Sequence, residues 1–383
     1  MLDPEDFDAI VSALNAGSQR PSPRWDADGH TARLNRLLEL ANEQQASDLI
    51  LIAGAPPSVR VDGAVTPLED AFGVPLTSRD IEDIIVPAIP AHARRSYDEQ
   101  RGADWTHRLA DLGRFRINVH HERGRIAATV RRLASNVPVL GSLHLPEATE
   151  ALTRLQHGLV LIAGPAGSGR TTTMAALVND INQREARHII TIEDPIEYEH
   201  SHGRALVEQV EVGVDAPDFA AALRAALRRG ADVVVIGELR DAETMQIALA
   251  AGEAGQLVLA CLRAPDAPTA AARIVESFPA DRQGMIRQSL AMALSAVLTQ
   301  TLMPRRGGGL VPAVELLMVE HGARQRIRKN TLRSLHKEVV ATRGHGSFTL
   351  EECLADLVKR ELIDGTDAAT RATRPAELQR LLS

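Results

Sequence analysis

The chain has 383 residues, 44% hydrophobic and 24% charged, and this ordinary globular composition excludes a disordered, collagen-like or coiled-coil protein. Lys and Arg number 43 against 50 Asp and Glu, and the net charge of -7 gives no overall attraction to nucleic acid or anionic membrane. The two cysteines, Cys261 and Cys353, exclude a disulfide framework and a cysteine-rich zinc module.

The first 30 residues predict a flexible lead-in. The acidic start, with Asp3, Glu5 and Asp6, has the wrong charge for a signal peptide, and the prolines and glycine of SQRPSPRWDADGH do not sustain a helix. Every apolar run in the chain is far shorter than the roughly 20 residues that a membrane helix needs. We therefore expect a cytoplasmic protein.

Residues 31–134 predict a small α+β domain. Leucines at helical spacing (Leu34, Leu37, Leu38) precede DLILIAGAPPSVRVDGAV, which has the pattern of short strands separated by turns. A second strand-rich stretch contains RFRINVH and IAATVRRL. Prolines and glycine in the next segment predict a linker over 135–146.

Residues 147–363 predict an α/β domain with a helical C-terminal part. The apolar segments LVLIAG, HIITIE, VVVIGE and LVLACL alternate with helical patterns, which is typical of a parallel sheet covered on both faces. Residues 284–303, which include LAMALSAVLTQTLM, have helical spacing. The polar stretch 364–383 predicts a frayed tail.

A strand, a glycine-rich turn and a helix follow one another in LVLIAGPAGSGRTTTMAAL, which is the layout of a P-loop. Glycines let backbone amides approach a phosphate, and the helix N-terminus adds partial positive charge. The alternative is a purely structural strand-to-helix turn. The candidate nucleotide-binding residues are Gly164, Pro165, Ala166, Gly167, Ser168, Gly169, Arg170, Thr171 and Thr172.

Acidic residues follow two further apolar strands. Glu193, Asp194 and Glu197 come after HIITI, and Glu238 follows VVVIG. Because the carboxyl ends of parallel strands share one edge, these carboxylates are expected beside the glycine-rich turn, where metal-assisted phosphoryl transfer needs them. Thr171 and Glu238 would then hold Mg²⁺ through the nucleotide. The alternative is that they are solvated surface acids.

An ordered series of motifs resembles that of the secretion ATPase superfamily, and within it the type IV pilus retraction (twitching motility) ATPases, the PilT family. The series comprises GPAGSGRTT, TIEDPIE, ALRAALRRGADVVVIGELRD, AGEAGQLVLACL, IVESFPADRQ and LTQTL. The resemblance covers about residues 31–363. It implies a PAS-like N-terminal domain, a RecA-like P-loop NTPase domain, ATP bound between them and a six-membered ring.

The resemblance also implies roles for individual residues. The acidic box falls on Glu193, Asp194 and Glu197 and the Walker B glutamate on Glu238, and either Glu193 or Glu238 would orient the attacking water. The arginines that reach the nucleotide fall on Arg116 and Arg131, whose alternative role is ordinary surface charge.

The sequence departs from the family pattern at the nucleotide site. Arg170 stands where the P-loop specifies lysine, and a planar guanidinium fits less readily between phosphates than an ammonium does. Gln256 and Arg263 replace the two histidines of the family's His box, so both imidazoles are lost. Gln256 is still able to hydrogen-bond to a phosphate oxygen or to water, but it does not exchange a proton near neutral pH. These changes predict that nucleotide binding is retained better than hydrolysis.

Two features choose between branches of the superfamily. The chain cannot build the four-cysteine zinc module of the extension and type II secretion ATPases, so the retraction branch is favoured and no zinc is expected. The branch's C-terminal signature is partly matched by GARQRIRK, through Arg324 and Arg328. The surrounding basic stretch is interpreted as a solvated face or a subunit contact, without direct nucleic-acid binding, because it lacks aromatic stacking residues.

Two functional hypotheses follow. The first is a hexameric motor ATPase of the pilus retraction machinery, using ATP and Mg²⁺, cytoplasmic and held peripherally at the inner membrane by a pilus platform protein. The second is a nucleotide-binding but hydrolytically impaired subunit, regulatory or structural, which acts beside an active paralogue in a mixed ring. Arg170, Gln256 and Arg263 motivate the second hypothesis.

Overall fold

The computed structural model describes residues 31–61, 63–68, 74–110 and 112–383, so the expected lead-in over 1–30 lies outside the described residues. The chain divides into two compact units. The first runs up to Asn136 and includes Glu197–Glu199, and the second contains Val137–Ile196 and His200–Ser383. Each unit packs helices on a sheet, so the mixed α/β class expected from the sequence is confirmed.

In its described residues, the first unit has an antiparallel sheet in the order β3-β2-β1-β6-β5-β4 and three helices. Along β5, Phe115, Ile117 and Val119 are buried in the core while Arg116 lies on the other face, as the two-residue period of a strand requires. The helices are α1 (Ala32–Glu43), α2 (Ser78–Ile85) and α3 (Ala91–Gln100). The strands are β1 (Asp48–Ile52), β2 (Ser58–Val61), β3 (Ala64–Pro67), β4 (Ala103–Leu109), β5 (Gly113–Glu122) and β6 (Arg125–Arg132).

The second unit is a seven-stranded sheet in the order β13-β12-β7-β11-β10-β8-β9. All neighbours are parallel except β12 and β13, which form an antiparallel pair at one edge. The central strands β7, β10 and β11 are buried along their whole length because helices cover both faces. The strands are β7 (Gly158–Ala163), β8 (His188–Glu193), β9 (Leu206–Glu211), β10 (Val233–Ile236), β11 (Leu257–Leu262), β12 (Leu294–Pro304) and β13 (Leu310–Met318).

The helices of the second unit follow the parallel strands and then close the chain. They are α4 (Arg170–Arg184), α5 (Phe219–Arg228), α6 (Ala242–Ala254), α7 (Ala267–Glu276), α8 (Gln283–Ala293), α9 (His321–Arg328), α10 (Leu335–Ala341), α11 (Leu350–Lys359), α12 (Gly365–Arg371) and α13 (Pro375–Leu382). Short 3₁₀ turns occur at Val86–Ala88 in the first unit and, in the second, at Leu140–Leu143, Glu147–Arg154, Leu332–Ser334 and Arg343–His345.

Two expectations for the C-terminal part are wrong. The helix predicted over 284–303 ends at Ala293, and the following residues form β12, which pairs with β7 inside the sheet. A buried strand and a buried helix are both continuously apolar, so spacing alone does not separate them. The frayed tail predicted over 364–383 instead forms α12 and α13, which bury Ala368 and Leu378.

A buried carboxylate cluster holds the last helix to the sheet. Glu351 at the start of α11 is fully buried, and its Oε1 accepts hydrogen bonds from Thr373 N at 3.0 Å, Thr373 Oγ1 at 2.8 Å and Arg374 N at 2.8 Å. Arg374 Nη2 lies 3.1 Å from Glu351 Oε2 and 3.5 Å from Glu315 Oε2 on β13. Two carboxylates therefore share one guanidinium at the N-terminus of α13.

We expect Glu351→Ala to destabilise the protein by about 3 kcal/mol, because it leaves Arg374 and the two backbone donors without their carboxylate. Urea denaturation measures the loss, and amide hydrogen exchange should show faster exchange in α13. Glu253→Ala, which removes an exposed carboxylate from α6, is the control and should change the unfolding free energy by less than about 0.5 kcal/mol. Equal stability of the two variants would contradict this role for Glu351.

Glu315 should make stability depend on pH. Burial, reinforced by the charges of Glu351 and Asp266 and opposed by Arg374, raises the pKa of Glu315 from its ordinary 4.5 to about 7. The stability contributed by its protonated form is complete below about pH 4.5 and is lost as the pH rises through about 7. Glu315→Gln should remove about 1–3 kcal/mol of the fall in unfolding free energy between pH 5 and 8, measured by denaturation at both pH values. An unchanged pH dependence in this variant would count against the assignment.

Candidate functional site

The glycine-rich turn connects the end of β7 at Ala163 to the start of α4 at Arg170. Gly167 and Gly169 have φ values of +74° and +81°, in the left-handed region that favours glycine. A Cβ on Gly164 would lie 2.4 Å from the carbonyl oxygen of Gln300 and 2.4 Å from Ser168 Oγ. The glycines of the motif are therefore required by the backbone path and by close packing.

The N-terminus of α4 differs from those of the helices that follow β9, β10 and β11. Asp218, Asp241 and Asp266 each accept a hydrogen bond from a backbone amide in the first turn of α5, α6 and α7. The N-cap of α4 is Gly169, which has no side chain to do this. No N-cap side chain therefore occupies the first turn of α4, and such an uncapped turn is a common place for an anion to bind.

Two buried polar atoms in this turn have no hydrogen-bond partner in the described part of the chain. They are Ser168 Oγ, in a residue that is 3% exposed, and Arg170 Nη1. An unsatisfied buried donor costs about 1–3 kcal/mol, so such groups are expected to be satisfied when the site is filled. The residues from Gly164 to Thr172 thus fit a phosphate group, and Arg170 has a free nitrogen where the motif has lysine.

The acids at the end of β8 lie on the same edge of the sheet as the turn. Strand β8 is three places from β7, roughly 14 Å away at the usual strand spacing. Glu193 Oε1 accepts hydrogen bonds from Thr191 Oγ1 at 2.7 Å and Gln209 Nε2 at 3.1 Å. Asp194 Oδ2 accepts from Arg240 Nη1 at 2.6 Å. Both carboxylates are therefore already engaged.

Glu238 follows β10, two places and roughly 10 Å from β7. Its side chain is 14% exposed and is held between two arginines. Arg240 Nε donates to Oε2 at 2.7 Å, and Arg263 donates to Oε1 through Nε and to Oε2 through Nη2 at 3.4 Å. Burial opposes ionisation, but the hydrogen bonds and charges of Arg240 and Arg263 outweigh it and hold the pKa of Glu238 below its ordinary value.

The two arginines are themselves fixed. Arg240 bridges Glu238 and Asp194 and lies over the ring of Phe219, 5.5 Å from its centroid. Arg273 donates to the backbone carbonyl of Arg263. An open cavity of about 460 Å³ lies beside this group. Its lining residues are Glu238, Leu239, Arg240, Met245, Leu262, Arg263, Arg273 and Ser277.

Three predicted site residues belong to the first unit. Arg116 Nε pairs with Asp104 Oδ1 at 3.2 Å, and Arg131 Nε pairs with Asp48 Oδ1 at 2.8 Å. Glu197 packs with this unit, and its carbonyl oxygen accepts from Arg114 Nη2 at 2.7 Å. Arg114, which is 7% exposed, was not predicted, although it lies two residues from Arg116 on the same face of β5.

Gln256 lies at the amino ends of the parallel strands, whereas the glycine-rich turn lies at their carboxyl ends. It precedes β11, and its carbonyl oxygen accepts from Gly158 N at the beginning of β7. Strands β7 and β11 are parallel from Gly158 and Leu257 to Ala163 and Leu262, so the two edges are roughly 20 Å apart. Gln256 therefore does not reach the glycine-rich turn of its own chain.

The two arginines of the partial C-terminal signature contact α8. Arg324 Nη1 donates to the carbonyl oxygens of Ala291 at 2.5 Å and Met292 at 2.7 Å, which caps the end of that helix. Arg328 Nη2 contacts Met292 Sδ at 3.2 Å. Arg324 thus has a structural role within the second unit.

Sequence reasoning missed Gln300, which contacts the glycine-rich turn from β12. Its Nε2 donates to the carbonyl oxygen of Ser168 at 2.7 Å, and its Oε1 accepts from Thr173 Oγ1 at 2.7 Å. The motif LTQTL contains this residue, but the helix predicted there gave no reason to bring it to the turn.

The described residues contain neither a membrane-spanning helix nor a metal-ligand cluster. No helix among them has the length and apolar character to cross a membrane. No three His, Cys, Asp or Glu side chains in residues 31–61, 63–68, 74–110 and 112–383 gather into a group able to hold a metal ion.

Comparisons with known proteins agree with this geometry. Residues 140–347 match the family described as Type II/IV secretion system protein. The type IV pilus retraction ATPase PilT of Pseudomonas aeruginosa is 35% identical over 342 residues, covering 89% of this chain and 98% of the relative. The type IV pilus ATPase PilU of the same organism is also 35% identical, covering 91% of this chain and 90% of the relative.

Solved structures give the same assignment. The crystal structure of the pilus retraction motor PilT with bound ADP superimposes with a TM-score of 0.80 at 39% identity, covering 90% of this chain and 98% of that one. The ATPase DotB of Legionella pneumophila has a TM-score of 0.72 at 23% identity over 89% of this chain and 95% of its own, and shows the fold alone. By its family match and its similarity to these pilus ATPases over most of its length, the chain belongs to the PilT/PilU-like type IV pilus ATPases of the secretion ATPase superfamily.

Proposed function

We propose that this protein is an ATP-binding motor ATPase of the type IV pilus retraction machinery and works as a hexameric ring. The observation that carries the proposal is the turn from Gly164 to Thr172, whose buried Ser168 Oγ and Arg170 Nη1 have no partner within the described chain. The acids of β8 and β10 lie on the same sheet edge. This combination supports a nucleotide site with carboxylates within reach of the phosphates.

The residues divide the work according to their positions. Backbone amides within the turn from Gly164 to Thr172 would hold the phosphates, although Pro165 has no N–H and the amides of Gly164 and Ser168 already donate to the carbonyl oxygens of Leu262 and Pro165. Thr171 and Glu238 would hold Mg²⁺ through the nucleotide. When bound, Mg²⁺ would neutralise the negative charge of the phosphates and make the phosphorus atom more susceptible to attack by water. Glu193 or Glu238 orients the attacking water by accepting its proton in a hydrogen bond. Arg116 and Arg131 are the proposed arginine fingers. To act in this way, each would leave its ion pair with an aspartate and contact a phosphate instead.

The assembly follows from the same proposal. Subunits form a homo-hexamer, or a ring mixed with a paralogue, in the cytoplasm. The ring is held at the inner membrane by the platform protein of the pilus machine. The role in retraction is proposed because PilT of Pseudomonas aeruginosa is described as a retraction ATPase and the similarity covers 98% of its length.

A second candidate function has its own observation. Arg240 and Arg263 together occupy both oxygens of Glu238, so the carboxylate that should act on Mg²⁺ or water is engaged in ion pairs. Arginine stays charged throughout the physiological pH range, so these pairs do not relax by titration. A nucleotide-binding subunit with weak hydrolysis, acting beside an active paralogue, would have this site. The chain is as similar to PilU as to PilT, at 35% identity to each.

The first experiment measures binding and hydrolysis on one preparation that contains the assembled ring. A motor predicts MgATP binding and steady-state phosphate release that Glu238→Gln lowers by about a hundredfold, because that change removes the carboxylate charge but keeps its shape. Binding without release above the Glu238→Gln background would support the impaired subunit instead. Absence of binding to an assembled ring would sink both functions.

A second experiment tests whether Arg263 restrains Glu238. If it does, Arg263→His should raise phosphate release at least about tenfold at pH 8, where a histidine is mostly neutral and leaves the carboxylate to Arg240 alone. Arg333→His, at an exposed position that makes no contact with Glu238 in the described structure, is the matched control and should leave the rate unchanged. A rate in Arg263→His that equals the control would show that this ion pair does not limit turnover.

A further inference from the structure

We infer that Gln300 is a positioning residue for nucleotide binding: it fixes the glycine-rich turn in its phosphate-binding shape without touching the ligand. The inference rests on the nucleotide binding proposed above. It concerns a side chain on β12, a strand that supplies none of the residues assigned to the site so far.

Gln300 lies level with the turn because of strand register. Thr299 pairs with Ala163, the last residue of β7, so the next residue of β12 is beside Gly164. The carbonyl oxygen of Gln300 would lie 2.4 Å from a Cβ on Gly164. Its side chain is 4% exposed and points into the junction between the turn and α4.

The side chain ties the two ends of this junction together. Nε2 donates to the carbonyl oxygen of Ser168 at 2.7 Å, and Oε1 accepts from Thr173 Oγ1 at 2.7 Å. Ser168 is in the turn, whereas Thr173 is in the first turn of α4. The amides between them, from Gly169 to Thr172, belong to the proposed phosphate site.

The orientation of the amide is determined by its partners. A backbone carbonyl only accepts hydrogen bonds, so the nitrogen of Gln300 must face Ser168. The oxygen then faces Thr173, whose hydroxyl is able to donate. Both polar atoms of this buried side chain are therefore satisfied.

Close packing limits the turn to one position on this side chain. A Cβ on Gly169 would lie 2.9 Å from Gln300 Nε2 and 3.4 Å from Leu302 Cδ2. The start of α4 is therefore seated directly against β12. When the two hydrogen bonds are lost, the amides of the turn keep their chain connectivity but lose the contact that orients them.

The test compares Gln300→Glu, Gln300→Met and Thr173→Val with the control Thr301→Val on the same strand. The readouts are the dissociation constant for MgADP, the competition by AMP and the thermal unfolding of the assembled protein without nucleotide. Gln300→Met removes both hydrogen bonds, and Gln300→Glu replaces the donor by an oxygen that faces the Ser168 carbonyl. Thr173→Val removes only the hydrogen bond from Thr173 to Gln300.

We expect Gln300→Glu and Gln300→Met to weaken MgADP binding at least about tenfold at pH 8, and Thr173→Val by a smaller factor. The affinity for AMP, measured by competition, should change much less, because AMP has no β-phosphate for the turn to hold. A buried carboxylate facing a carbonyl has a raised pKa, so lowering the pH to 6 should restore MgADP binding to Gln300→Glu, whose protonated form is able to donate, and not to Gln300→Met. In turnover, the loss should appear in KM more than in kcat.

Three results would overturn the inference: unchanged MgADP affinity in both Gln300 variants, equal losses for ADP and AMP, or no recovery of Gln300→Glu at low pH. If both Gln300 variants fail to fold, the milder Thr173→Val decides, since unchanged MgADP affinity there overturns the inference and a selective loss supports it. Failure of the native protein and Thr301→Val to bind MgADP would instead remove the proposed nucleotide function itself.

Discussion

The parallel pairing of β12, β7, β11, β10 and β8 determines where the candidate site residues of the second unit lie. Parallel strands bring their carboxyl ends to one edge, and the polar residues that follow them share that edge. The glycine-rich turn, Glu193 and Glu238 are there for this reason. Gln256 is at the other edge for the same reason, since it precedes its strand instead of following it.

The ends of the buried parallel strands could be predicted from the sequence. Short β-branched runs such as VVVI, bounded by glycine and acids, indicate both a buried strand and the point where it stops. The segment 284–303 was harder because Ala, Leu and Met are good helix formers and continue past Ala293 into the strand. The helix α8 ends at Ala293 because the following residues pair with β7 as β12. This tertiary pairing is not visible in the sequence, so Gln300 could not be assigned to the turn from its sequence position. The tail was misjudged because the buried partners of Ala368 and Leu378 come from distant segments.

Arginine at two positions gives this site a different electrostatic character from the one its motifs predict. A guanidinium has five donors in a fixed plane and engages carboxylates through two contacts, as Arg263 does with Glu238. At Arg170 the same geometry leaves one nitrogen buried without a partner in the described chain, which suits an anion. In the proposed nucleotide site, Arg170 would favour phosphate binding, whereas Arg263 would compete with Mg²⁺ and water for Glu238. Binding and hydrolysis are physically separable in such a site, and similarity to both PilT and PilU does not choose between them.

The edge pair of β12 and β13 links two buried polar groups that a continuous apolar strand would not tolerate. Gln300 on β12 follows Thr299, which pairs with Glu315 on β13. Burial of each polar side chain is compensated by its partners. Gln300 forms hydrogen bonds with Ser168 and Thr173, and Glu315 forms an ion pair with Arg374. The hairpin therefore has the glycine-rich turn on one side and the C-terminal helices on the other. Since protein interiors are close-packed, a shift of this hairpin would disturb both sets of hydrogen bonds together, so the helices at the end of the chain help to keep β12 in register with the turn.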